Sequence, residues 1–114
     1  MPIRIINEKI SRQELQQIAQ ESFGELIKAV VDVEKRIMAI GGELHSDEEV
    51  VLLEHGSLQE NLWGINFYPQ EREEKWIEFD SVINIRPLIG NRSRGVEDAK
   101  LREKIIQIVN SLVE

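Results

Sequence analysis

Three arginines fall within nine residues in the stretch NIRPLIGNRSR, where Arg86, Arg92 and Arg94 are interleaved with Pro87, Gly90, Asn91 and Ser93. A guanidinium is a rigid fork matched to carboxylate and phosphate oxygens, and a well-formed charged hydrogen bond contributes roughly 1.5–3 kcal/mol. Gly90 allows close backbone approach, Asn91 and Ser93 add donors, and a helix N-terminus is expected a few residues on. The expected ligand-binding set is therefore Arg86, Asn91, Arg92, Ser93 and Arg94. Its ligand would be an anionic small molecule or an acidic protein segment. The glycine spacing is that of neither a Walker loop nor a dinucleotide fingerprint. Glu97 and Asp98 occupy the expected helix start and would repel a phosphate there. The competing structural reading has the arginines paired with acids of residues 43–60 or with Asp80, because ion-pair networks imitate sites.

The stretch His45-Ser46-Asp47-Glu48-Glu49, with Asp32 and Glu34 as neighbours, offers an imidazole and carboxylates of the kind that hold a divalent cation. His45 and Glu49 do not make the HExxH zinc pattern, however, and His55 lies a helix away. A capping box of Ser46 and Glu49 accounts for the segment without a metal. No metal and no cofactor is expected. Pro2, if Met1 is removed, carries a free secondary amine that can serve as a general base. The opening MPIRI, the stretch IMAIGG and the order β-α-β-β-α-β resemble the N-terminal-proline tautomerases, although the first helix is short and a C-terminal helix is added. An enzyme of that type, or a His/carboxylate metal-dependent one, is the alternative to a binding role. Trp63, Tyr68 and Trp76 offer faces for stacking bases, but their strand spacing suits a core.

These candidates sit in a chain of 114 residues, the size of one domain (1–114) with a core that needs no disulfide. Cysteine is absent, which excludes thiolate metal sites and disulfides. The 14 basic and 21 acidic residues leave a net charge of −7, a field that repels nucleic acid. That charge is uneven: residues 43–60 hold six acids and no Lys or Arg, whereas residues 86–114 are net basic. The N-terminus lacks the apolar core of a signal peptide, and no apolar run approaches the ~20 residues of a membrane span. No membrane partner is expected, and a cytoplasmic location is the default.

The elements that must position the candidates follow from periodicity. Arg4-Ile5-Ile6 reads as a first strand. Ser11 opens a helix over 11–23, with Glu14 in a capping box, an Ile10/Leu15 staple and a stripe of Leu15, Ile18, Ala19 and Phe23. A β-branched stretch interrupted by Glu34-Lys35-Arg36 predicts a hairpin of 28–33 and 37–41. A helix over 46–55 is expected to bury Val50, Leu53 and one of Val51 or Leu52. NLWGINFYP alternates, with Trp63, Ile65 and Phe67 on one face and Leu62, Asn66 and Tyr68 on the other. WIEFDSVINIRP predicts a strand with Ile77, Phe79, Ile83 and Ile85 inward and Glu78, Asp80, Asn84 and Arg86 outward. The last helix, over 97–113, carries a stripe of Leu101, Ile105, Ile108, Val109 and Leu112. The order β-α-β-β-α-β-β-α predicts an α+β fold, a mainly antiparallel sheet of four to five strands packed by three helices.

Three longer strings, VVDVEKRIMAIGGELHSDEE, LWGINFYP and FDSVINIRPLIGNRSRGVED, together resemble a family of small prokaryotic proteins catalogued only as a domain of unknown function. The resemblance spans nearly the whole chain. It implies a bacterial or archaeal source and one domain, and it brings no activity and no catalytic residues. The residues themselves point to a non-catalytic binding or adaptor domain. It would use loop 86–94 and the polar strand face formed by Asn66, Tyr68, Asp80, Asn84 and Arg86.

Overall fold

The computed structural model describes residues 2–114. The expected α+β architecture is present: strands β1 (Arg4–Ile6), β2 (Ile27–Asp32), β3 (Ile37–Ile40), β4 (Leu62–Phe67) and β5 (Ile77–Glu78), with helices α1 (Arg12–Glu21), α2 (His45–Glu54) and α3 (Ala99–Leu112). The sheet has five strands in the order β1-β3-β2-β4-β5, every pair antiparallel. The β2–β3 hairpin follows the expected boundaries closely, because Asp32 turns the chain. Its Oδ1 accepts from the N–H groups of Glu34 and Lys35, each at 2.9 Å.

Strand alternation divides the sheet into two unlike faces. Ala29, Val31, Met38, Ile40, Trp63, Ile65 and Phe67 join the buried sides of α1 and α3 in the larger core, where Trp76 stacks on Phe67 with ring centroids 4.9 Å apart. The other face holds a small apolar cluster of Val30, Ala39, Leu52 and Leu62. Helix α2 and a short 3-10 turn, Val82–Asn84, cover it. The first layer is closed by apolar burial; the second is largely polar.

Several expectations need correction. Ser11 caps α1 as expected, its Oγ accepting from Glu14 N–H at 3.0 Å, but the Glu14 carboxylate pairs with Arg4 at 2.8 Å instead of completing the box. Helix α1 stops at Glu21, so Phe23 leaves the helical stripe and is exposed. Ser46 is not a cap: α2 begins at His45 after Leu44, which has no side-chain oxygen to offer. That start sets the helix rotation so that His45, Glu48 and Leu52 face the sheet, and Val50 and Leu53 face solvent. The final helix starts at Ala99, with Asp98 as the cap accepting from Lys100 N–H at 2.9 Å. The long strand expected through residues 76–86 is only two residues in β5, after which the chain curls into 3-10 turns at Val82–Asn84 and Pro87–Ile89. Ile85, expected to be buried, is accordingly 42% exposed, and Ile83 is only partly buried.

The curl is seated closely against β4. Ser81 is fully buried against Gly64 of β4, where a Cβ would lie 2.5 Å from the Ser81 Cβ. A side chain at position 64 would force Ser81 away from the strand.

Candidate functional site

Asn84 decides how loop 84–97 is held. Its Oδ1 accepts from Gly64 N–H at 2.8 Å, and its Nδ2 donates to Gly64 O and Arg94 O, each at 2.9 Å. The amide thus replaces a missing neighbouring strand along the edge of β4. Asn91, also buried, donates from Nδ2 to the carbonyls of Asn84 (2.7 Å) and Gly95 (2.8 Å), and its Oδ1 accepts from Glu97 N–H at 2.9 Å. Glu97 receives the N–H groups of Arg92 and Ser93, each at 2.8 Å, and these bonds hold its carboxyl below the usual glutamate range. Ser93 Oγ accepts from Gly95 N–H at 3.2 Å. Asn91 and Ser93, expected as ligand donors, therefore organise the loop.

The three arginines separate. Arg86 lies over the Trp63 ring at 4.3 Å and donates from Nε to Ile83 O at 3.1 Å and from Nη2 to Leu62 O. Burial lowers its pKa, with Glu49 acting in the opposite direction. Arg92 is exposed, and its guanidinium has no hydrogen bond or ion pair among the described residues. Arg94 donates from Nε to Asp80 Oδ1 at 2.5 Å, both side chains being about half exposed. The expected pairing with Asp80 is present; among the described residues none of the three forms an ion pair with an acid of residues 43–60.

Arg94 lines a cavity of about 430 Å³ between the second sheet face, the start of α2 and segment 78–94. Lys28 of β2, His45 and Ser46 of α2, Asn66 and Tyr68 at the end of β4, and Glu78 and Asp80 also line it. The polar strand face thus contributes Asn66, Tyr68 and Asp80; Asn84 and Arg86 belong to the β4 edge instead. Tyr68 Oη donates to Glu78 Oε1 at 3.0 Å, and Asn66 Nδ2 donates to the same oxygen at 2.9 Å. Burial and the Glu78 carboxylate push the Tyr68 phenol up.

His45 is buried and its Nε2 lies 2.8 Å from Ile65 O. A carbonyl can only accept, so Nε2 carries the proton and Nδ1 keeps its lone pair in the neutral ring. Burial lowers the His45 pKa and favours the neutral ring, with the Ile65 bond acting in the opposite direction. The wall is therefore a neutral base, two carboxylates already accepting hydrogen bonds, and two cations, Lys28 and Arg94. The Arg94 bond to Asp80 uses Nε alone, and four of its five N–H groups remain available to an anion.

The other candidates are dispersed. Asp32 is buried, receiving Ser57 Oγ–H at 2.6 Å besides its turn bonds. Among the described residues no three His, Asp or Glu side chains gather as a metal set. Pro2 lines a separate hollow of about 290 Å³ with Arg4, Ile18 and Glu21 at the other edge of the sheet; the loss of Met1 that its amine would need concerns a residue outside those described. Trp63 and Trp76 are buried in the core.

Sequence reasoning missed Lys28 and Glu78 as cavity residues, and offered Glu48 as a metal carboxylate where the structure buries it alone. Lys28 sits on the second face, but nothing in its own neighbourhood distinguishes it from a solvated lysine. Glu48 shares a helix face with His45, three residues apart, and that spacing was the available signal.

Residues 4–112 match the family described as "Protein of unknown function (DUF5674)". No curated protein and no solved structure matches the chain.

Proposed function

We propose that this chain, which belongs to the DUF5674 family, is a non-catalytic binding domain that takes a small polar ligand with an anionic group into the cavity beside Arg94. One observation carries the reading: Arg94 and Lys28 line the same walled cavity as Tyr68 and His45. A cavity of that volume suits a small molecule better than a protein segment. Of the arginine loop, Arg94 supplies the contact, while Arg86, Asn91 and Ser93 hold the loop in place. Arg92, on the open surface, draws an anion toward the site over a distance of about one Debye length.

Calorimetric titration with small carboxylates and phosphates tests the proposal. Arg94→Ala should weaken binding about 10- to 100-fold, the value of one charged hydrogen bond. Arg92→Ala should weaken it slightly, and only at low salt. Full affinity retained in Arg94→Ala would refute the assignment.

A catalytic reading has one observation in its favour, the neutral His45 on the cavity wall. Histidine→glutamine at position 45 separates the two: it spares ligand binding in a binding domain and abolishes turnover in an enzyme that uses His45 as base.

A further inference from the structure

The cavity beside Arg94 carries both signs of charge, in an order that strand register imposes. Lys28 of β2 is the cross-strand partner of Asn66 of β4, and Asn66 is that of Glu78 of β5. All three line the cavity, so a cation and a carboxylate stand at the ends of one row with an amide between them. Two strand spacings set their backbones about 10 Å apart. The two charges do not neutralise each other. The Lys28 ammonium lies over the Phe23 ring at 5.4 Å and pairs with no carboxylate among the described residues. At the β5 end Arg94 and Asp80 stand side by side, bonded through Nε and Oδ1 alone. Two cations and two carboxylates thus share the wall, and their formal charges cancel.

The same wall has acceptors without donors. Glu78 receives both of its bonds on Oε1 and Asp80 its one on Oδ1, which leaves the second oxygen of each carboxylate open. The neutral His45 ring has given its one N–H to Ile65 O, and Nδ1 has no partner among the described residues. Asn66 is only 7% exposed; its Nδ2 donates twice, while its Oδ1 has no hydrogen bond among the described residues. A buried acceptor left without a donor costs free energy. A plain anion would leave all of these unfilled and would meet two carboxylates of its own sign. A ligand that also brings N–H donors on a positive group matches them.

Contact between Arg94 and Asp80 sets an open guanidinium edge beside an open carboxylate oxygen, which selects opposite charges one carbon apart. Leu26, Leu44 and Val82 add an apolar stretch to the wall, the last two more than half exposed. We propose that the ligand is a small zwitterion of the free α-amino acid class with an apolar side chain. Its carboxylate faces the Arg94 and Lys28 cations, its ammonium faces Asp80 and Glu78, and its side chain covers Leu44 and Val82. This inference rests on the binding reading of the cavity and specifies what is bound there.

The test is calorimetric titration of the full chain with glycine, alanine, leucine and phenylalanine, each against its deaminated counterpart: acetate, propionate, isocaproate and hydrocinnamate. Leucine or phenylalanine should bind about tenfold or more tighter than its counterpart, and tighter than glycine. Glu78→Gln removes the charge and keeps an acceptor for Tyr68 and Asn66. It should weaken the amino acid about tenfold and leave the deaminated acid unchanged or tighter, a split that a merely structural role would not produce. Asp80→Asn, at a half-exposed position, should repeat that split. Equal binding of amino acid and counterpart overturns the inference; if that binding still falls in Arg94→Ala, the anion site stands without it. Equal loss of both ligands in both variants at unchanged Tm also overturns it. No binding in either series overturns the inference and the anion site together.

Discussion

Glu48 is sealed between the sheet and Gly42, whose N–H donates to Oε2 at 2.9 Å, while Oε1 has no partner among the described residues. Burial pushes its pKa up to about 9, partly opposed by the Gly42 bond, so the carboxyl is protonated at neutral pH. A raised folded-state pKa contributes stability that is fully present below the ordinary value of 4.5 and is lost as pH rises through about 9. Between those limits the unfolded chain releases the proton and the folded chain keeps it. Glu48→Gln, which mimics the protonated form, should therefore raise stability at pH 7 by roughly 2–3 kcal/mol and flatten the alkaline decline in urea titrations. His45 behaves oppositely. Its lowered pKa contributes stability present above pH 6.5 and lost as pH falls through the folded-state value. His45→Gln should remove that acid limb and leave the alkaline one. Arg92, exposed and unpaired among the described residues, sets neither, and Arg92→Ala should leave the Tm within a degree or so.

At the scale of elements, the outer edge of β4 is the joint on which the site depends. Strand β5 pairs only with Asn66 and Phe67, leaving Gly64 to the Asn84 amide and Leu62 O to the Arg86 guanidinium. Two side chains replace most of a strand, and they also fix where Arg94 leaves the sheet. Asn84→Ala should cost about 3 kcal/mol or more, because it leaves buried groups of Gly64 and Arg94 O without partners. Denaturant unfolding measures the loss. Helix caps supply a matched control. Ser11→Ala should cost about 1 kcal/mol, whereas Ser46→Ala, inside the first turn of α2 and making no cap, should cost almost nothing.

The molecule as a whole is asymmetric about its sheet. One side is a conventional apolar core; the other is a polar layer enclosing the cavity within and presenting apolar side chains without. Occupation of that cavity, as proposed, would leave the main core undisturbed. A ligand bound only by the folded chain stabilises it by mass action, about 2.7 kcal/mol at a hundredfold excess over Kd. An anion bound in the cavity should therefore raise the Tm of the parent chain, and Arg94→Ala should abolish that rise without lowering the unliganded Tm. A melt that shifts equally in both would place the anion elsewhere.

The sequence by itself determined the elements whose information is local. Alternation in LWGINF, the break at Glu34-Lys35-Arg36, Ser11 before an apolar stripe, and the stripe of α3 each lie within a few residues, and each element stands where the pattern put it. The α+β class followed from their order. What the sequence could not show was any feature decided by a distant partner. Asn84, Asn91 and Arg86 have the same donors whether they hold a ligand or a strand edge, and only the position of β4 assigns them to the edge. Gly64 looks like a weak point in a strand until Ser81 is found against it. The rotation of α2 is another such case: its own hydrophobic pattern favours Val50 and Leu53 inward, yet the sheet receives His45, Glu48 and Leu52. Packing on a face already occupied by Asn66 and Lys28 outweighs the periodicity of one short helix, because the energy of burial belongs to the pair of surfaces and not to either alone.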